Sequence, residues 1–114
     1  MFYSSELENV AALCYQESIT LDDFNEKMNV TIQKINDGSG VIILTDIMGG
    51  TPMKEGIKHI SDDIIMISGM NFSLLLDLVI KRNTVKNVKE LDVGSIIEDA
   101  KQGIVNINEM IKEI

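Results

Sequence analysis

The stretch Thr45-Asp46-Ile47-Met48-Gly49-Gly50-Thr51-Pro52 places a carboxylate, two glycines and a hydroxyl directly after the apolar run Val41-Ile42-Ile43-Leu44. A carboxylate can orient an imidazole, and free amides at a glycine-rich helix start can donate to phosphoryl oxygens. The apolar run is rich in β-branched residues and fits a strand covered on both faces of a parallel sheet. Thr51 is set to cap the next helix, and Pro52 fits its first turn, where no backbone N–H is needed. The pattern predicts strand, anion-binding turn and helix in succession. GGTP taken alone equally describes a tight turn and a cap with no ligand.

The same logic recurs downstream, where Gly69-Met70-Asn71 follows the apolar run Ile64-Ile65-Met66-Ile67-Ser68. Asn71 can cap a helix from Phe72 to Ile80, and Leu74, Leu75, Leu76 and Leu78 leave that helix little polar face, so it should be deeply packed or covered by a partner. Ligands of open parallel sheets lie beyond the carboxyl ends of the strands, so both turns are expected on one rim.

The elements that must position these residues follow from period and punctuation. A first strand is expected near Asn9 to Tyr15. Thr20 with Asp23 three positions on begins a helix whose Leu21, Phe24, Met28, Ile32 and Ile35 recur at helical spacing. Asp37-Gly38-Ser39-Gly40 ends it. A short helix runs from about Pro52 to Ile60 and closes at Ser61-Asp62-Asp63. Val93 to Gln102 is helical, Ile104-Val105-Asn106-Ile107 alternates like an edge strand, and Asn108 to Ile114 turns helical again. This alternation is that of βαβ units, hence an α/β fold with a mainly parallel sheet.

With 114 residues, 45% hydrophobic and 4% aromatic, the chain suits one domain with one core. Its 18 acidic against 10 basic residues, a net charge of −8, disfavour nucleic acid and anionic membrane surfaces as partners. No apolar run approaches the roughly 20 residues of a membrane span, and no signal-peptide order begins the chain. Cys14, the single cysteine, can form no internal disulfide, which fits a cytoplasmic protein. It is placed mid-strand as a buried structural thiol. His59, the one histidine, stands eight residues after Thr51, about 12 Å along a helix, too far to serve the turn. Its plain reading is a partly exposed helical side chain beside Lys58. Asp62-Asp63 fits a solvated loop, with no third ligand spaced for a metal. Met28, Met48, Met53, Met66 and Met70 read as core filler, except that Met48 lies within the turn and is suited to touching a partner.

The two motifs, TDIMGGTP after VIIL and then GMN before a leucine-rich helix, resemble the mannose/fructose-family enzyme IIA domain of the bacterial sugar phosphotransferase system (PTS), along Glu6 to Gly103. The resemblance implies a three-layer α/β/α, doubly wound, mainly parallel fold forming a homodimer. It implies a phosphohistidine carrier that accepts phosphate from HPr and passes it to a IIB protein or domain. Carried across by motif, Asp46 would orient the active histidine, Gly49 and Gly50 would donate amides, Thr51 would give a hydroxyl to the phosphoryl oxygens, and Asn71 would line the same rim as a third phosphoryl-binding residue. No cofactor or metal is called for. The family's first strand and its Ser/Thr-His-Gly loop have no counterpart here, and Met1-Phe2-Tyr3 align with the end of the family's first helix. The single domain, residues 1–114, is therefore expected to be incomplete at its N-terminus. Lys54 stands where asparagine is common and Ser73 where proline is usual.

Three functions compete. A phosphocarrier predicts a histidine loop encoded upstream. A non-catalytic relative, dimerising or binding a IIB or regulatory protein, predicts no labelling by phospho-HPr. A nucleotide-binding domain is weakly supported, since neither G-x-G-x-x-G nor GK[ST] is present.

Overall fold

The computed structural model describes residues 8–16 and 18–112. Its centre is a parallel pair, β1 (Val41–Thr45) and β2 (Ile64–Ser68), in the register Val41↔Ile64 to Thr45↔Ser68. Helix α1 (Leu21–Ile35) precedes β1, α2 (Thr51–Ile57) crosses to β2, and α3 (Phe72–Lys81), α4 (Val93–Lys101) and α5 (Ile107–Lys112) follow.

Each strand divides its side chains between two cores, as a period of two requires. Ile42, Leu44, Ile65 and Ile67 pack with Leu74 and Leu78 of α3 and with Ile96 and Ala100 of α4. Val41, Ile43 and Ile64 meet Phe24, Met28 and Ile32 of α1 on the opposite face. Gly56 of α2 also lies on this second side, where an added Cβ would meet Met66 and Ile43. The result is helix, sheet, helix: the three-layer α/β/α arrangement expected from the sequence.

Helix α1 forms as its pattern predicts. The Thr20 hydroxyl accepts from the Asp23 amide at 3.1 Å, and Asp22 and Asp23 in the first turn suit the positive end of the helix dipole. Phe24 is 1% exposed and packs against Tyr15 in a T-shaped pair at a centroid distance of 5.2 Å. Leu21, at the end of the stripe, stays half exposed. The turn into β1 needs glycine at Gly40: its φ is +86°, and a Cβ there would lie 2.5 Å from the Asp63 carbonyl oxygen. Hydrogen bonds from Ser39, side chain first and then backbone, hold the exposed Asp37 carboxyl below its ordinary range in the same turn.

Several expectations are corrected. Asn9 to Tyr15 is not a strand: Asn9 sits in a turn at φ 58°, no described residue offers it a ladder, and Leu13 and Tyr15 pack toward α1 instead. The sheet accordingly has two strands among the described residues. Cys14 is exposed, not buried. Helix α2 ends at Ile57, not Ile60, because Lys58, His59 and Ile60 donate to carbonyls three residues back, tightening the chain out of the α-helix. Ile104 to Ile107 makes no edge strand: the Asn106 carbonyl accepts from Met110 N, its side chain from Glu109 N, and α5 begins instead. The expected end of that helix, at Glu113 and Ile114, and the aligned Met1 to Tyr3 lie outside the described residues. No described helix is long and apolar enough to cross a membrane.

Two measurements check this packing. In urea denaturation, Phe24→Ala should lose about 3–5 kcal/mol, while Leu21→Ala should lose under about 1 kcal/mol. The lowered Asp37 pKa means that its support of the turn is present above the usual carboxylate value and is lost as pH falls through the lowered one. Ser39 amide exchange should therefore show a protection step at acid pH that Asp37→Asn abolishes.

Candidate functional site at the carboxyl rim of the sheet

Two turns leave the same end of the parallel pair, and a single acceptor joins them. The Thr45 carbonyl oxygen receives the amides of Gly69 and Met70 at 2.9 and 3.0 Å. The turn after β1 and the turn after β2 are thereby brought together on one rim, as the sequence predicted. Thr45 is itself 8% exposed, with its hydroxyl directed to the Ile47 carbonyl at 3.4 Å.

In the first turn, Asp46 is exposed and outside the core. Gly49 holds φ +90°, open to glycine and rarely to other residues, and its amide donates to the Met53 Sδ at 3.1 Å. A thioether is a weak acceptor, so an anionic oxygen would be a better partner for that amide. Gly50, not Thr51, is the N-cap of α2; Thr51 is its first residue and Pro52 follows. With glycine at the cap, no side chain occupies the cap position, and the early amides of α2 keep their capacity to donate. The shift of Thr51 by one position puts its hydroxyl inside the first turn rather than in the capping role.

The second turn does something the sequence left open. Asn71 caps α3 through Oδ1, which accepts from Leu74 N at 2.8 Å, and its Nδ2 donates to the Ala100 carbonyl of α4 at 3.0 Å. Asn71 therefore stands on the rim with its amide engaged in clamping α3 to α4. Beside it, a cavity of about 120 Å³ is lined by Ser68, Gly69, Asn71, Ala100, Lys101 and Ile104, and the buried Ser68 hydroxyl has no hydrogen-bond partner among the described residues. Ser68 was missed from sequence; its only signal was its place as the last strand residue before the GMN turn.

Other candidates lie elsewhere. His59 follows the end of α2 and meets Asn25 of α1 at 2.8 Å, a bond between helices rather than a rim contact. Glu55 of α2, which sequence reasoning passed over, is 5% exposed, with Lys58 Nζ at 2.9 Å from Oε2, an ion pair outside hydrogen-bond alignment. Asp63 accepts from the Ser61 hydroxyl at 2.9 Å in its loop. No group of three metal-ligating side chains occurs among the described residues. Of the methionines, Met28 is core and Met48 is 83% exposed on the rim, with Ile47 beside it at 65%.

The fold is a three-layer α/β/α arrangement with a glycine-rich turn and an exposed aspartate at the strand ends. The chain belongs to the EIIA-man family, described as the PTS system fructose IIA component, which matches residues 1–96. It is 26% identical over 101 residues to the PTS system mannose-specific EIIAB component of Escherichia coli K12, and equally to that of Shigella flexneri. The match covers 87% of this chain and 31% of those relatives, so the chain spans about a third of their length. In fold it is similar to the PTS IIA protein associated with the fucose utilization operon of Streptococcus pneumoniae, with a TM-score of 0.66 and 20% identity over 81% of this chain and 66% of that one.

The clamp role of Asn71 is open to test. Asn71→Ala should cost about 1–3 kcal/mol in thermal or urea unfolding, and Asn71→Asp, which keeps the cap acceptor but sets a carboxylate oxygen against the Ala100 carbonyl, should also destabilise.

Proposed function

We propose that this chain supplies the phosphoryl cradle of the enzyme IIA component of a sugar phosphotransferase system, a component that relays phosphate from phospho-HPr to a IIB protein or domain in the cytoplasm as a homodimer, and that the chain itself lacks the acceptor histidine. The observation that carries the reading is the exposed Asp46 beside the Gly49-Gly50 turn, on a rim tied together by the Thr45 carbonyl. In transfer between imidazoles, one N–P bond breaks at the donor ring as another forms at the acceptor ring. Such transfer asks the protein mainly to orient the ring and to hold three equatorial oxygens. Asp46 would accept from one ring N–H, which fixes the tautomer and frees the other nitrogen. Gly49 and Gly50 would give amides, and Thr51 its hydroxyl, to the oxygens; Asn71 would shape the rim rather than bind.

The acceptor imidazole is not His59, whose ring serves the contact to Asn25. In this reading the chain supplies a cradle for a phosphorylated ring. The second reading, a non-catalytic IIA-like module that dimerises or binds a regulatory partner, is favoured by that same observation and by the exposure of Ile47 and Met48. Sugar choice is outside this component, because the sugar meets the membrane subunits. The curated relatives are mannose-specific by name; that specificity is theirs.

Three results are expected. Incubated with radiolabelled phospho-HPr, this chain takes no stable label; phosphate on His59 would overturn the assignment. Titrated with phosphoimidazole, it shows amide shifts at Gly49 and Gly50, and Asp46→Asn weakens that binding about tenfold, the loss of one charge-assisted hydrogen bond. Unmoved amides with HPr or IIB binding intact would select the second reading. Met48→Asp should weaken binding to HPr or IIB by about tenfold or more while leaving the unfolding midpoint in place.

A further inference from the structure

Of the side chains around the turn after β1, Met53 is the one whose contact an ordinary chemical change would transform. The Gly49 amide has no backbone acceptor among the described residues and donates instead to the Met53 Sδ at 3.1 Å. The contact is local. Met53 stands four residues on, at the start of α2, and helical side chains lean back toward the N-terminus of their helix, so the thioether lies over the glycines that precede it. It depends on the left-handed backbone of Gly49, at φ +90°, and on where α2 begins, not on either edge of the sheet.

Gly49 is exposed and Met53 only partly buried, so a small oxidant in solution reaches the sulfur. The other thioethers divide differently. Met28 is 5% exposed in the core beneath α1, while Met48, Met70 and Met110 are open to solvent. Among the described residues, Met53 is the methionine whose sulfur accepts a hydrogen bond.

A peroxide converts a thioether to a sulfoxide. A sulfur lone pair attacks one oxygen of hydrogen peroxide, and an S–O bond forms as the O–O bond breaks. The proton on the transferred oxygen passes to the departing hydroxide, which leaves as water; sulfur is oxidised by two electrons and the peroxide is reduced. A thioether is a weak acceptor, whereas the sulfoxide oxygen is the negative end of a polar bond and a strong one. Carried on the same flexible side chain, that oxygen comes within reach of the amide that the sulfur already faces.

The geometry points to Met53 as a reversible oxidation site, whose sulfoxide locks the Gly49 amide and closes the turn to an incoming anion. In the reduced chain the thioether is a placeholder that keeps the amide aimed and yields to a better acceptor. In the oxidised chain an internal oxygen competes with a phosphoryl oxygen for the same N–H, at the high effective concentration of a tethered group. Sulfoxide reductases, one for each epimer at sulfur, restore the thioether. The effect on anion binding rests on the phosphoryl reading; the lock on Gly49 does not.

The test uses the full chain carrying Met48→Leu, Met70→Leu and Met110→Leu, which removes the openly exposed thioethers, treated with hydrogen peroxide until peptide mass spectrometry places one oxygen on Met53. Gly49 amide exchange, followed by NMR, should slow by about three- to tenfold, the worth of one added hydrogen bond, and recover after treatment with both reductases. Met53→Gln, which presents a carbonyl oxygen at similar reach, should slow Gly49 without peroxide, whereas Met53→Leu should quicken its exchange and abolish the peroxide response. Affinity for phosphoimidazole should fall by a similar factor on oxidation. Unchanged or faster Gly49 exchange in the sulfoxide, whether through local opening or unfolding, would overturn the lock. Equal phosphoimidazole affinity before and after oxidation would overturn the closing of the turn. No binding even before oxidation, with the slowing of Gly49 intact, would strike the phosphoryl reading and leave the lock standing.

Discussion

The Thr45 carbonyl is the contact on which the rim depends. A parallel pair sends both strands out at one end, but it does not by itself join the loops that follow. Here one oxygen accepts from Gly69 and Met70 together, with Thr45 buried beneath the loops. The turn with Asp46 and the glycines is thus held against the turn that leads to Asn71. Gly69, at φ +88°, takes a backbone shape that side chains resist, which lets its amide and the next point at one acceptor. Loss of those two hydrogen bonds would free the two loops from each other and open the last rung of the β1–β2 ladder.

Burial is divided between two faces, and neither core is large. Phe24 and Ile96 are the most fully buried large side chains, one on each side of the sheet. Against them stands a long set of exposed apolar residues: Ile47, Met48 and Phe72 at or beside the rim, and Ile104, Ile107 and Ile111 along the last segment, all more than half exposed. Single exposed apolar side chains need no explanation, but groups of them on adjoining elements are the surfaces by which proteins meet. The rim group adjoins the proposed phosphoryl cradle, the place where a carrier and its donor would have to come together.

The site is built mostly of backbone, and this limits what individual residues reveal. Asn71 illustrates the point. Its position before a leucine-rich helix made it both a cap and a candidate ligand, and the fold gives its amide two structural partners, Leu74 N and Ala100 O. The second partner comes from a helix 29 residues away in the chain, which no local pattern could announce. Glu55 is a similar case: in a short helix it looks like an ordinary polar residue, and only the closeness of α2 to the sheet and α1 makes it buried.

The sequence by itself determined the pieces set by local chemistry: the Thr20 and Asn71 caps, the helical stripe of Phe24, Met28 and Ile32, the two β-branched runs, the glycines of the turns, and the family to which the motifs point. These depend on neighbours within about four residues, where period and hydrogen-bonding chemistry act directly. Tertiary structure alone decided whether an apolar stretch becomes a strand, because a strand exists only through its ladder. Asn9 to Tyr15 and Ile104 to Ile107 carry suitable residues yet find no described partner, while Val41–Thr45 and Ile64–Ser68 find each other. It also decided that His59 bonds to Asn25, that Gly50 takes the cap in place of Thr51, and that both turns share the Thr45 carbonyl. Most of these are contacts between distant residues; the cap is the local exception, where the turn geometry shifted the helix start by one residue.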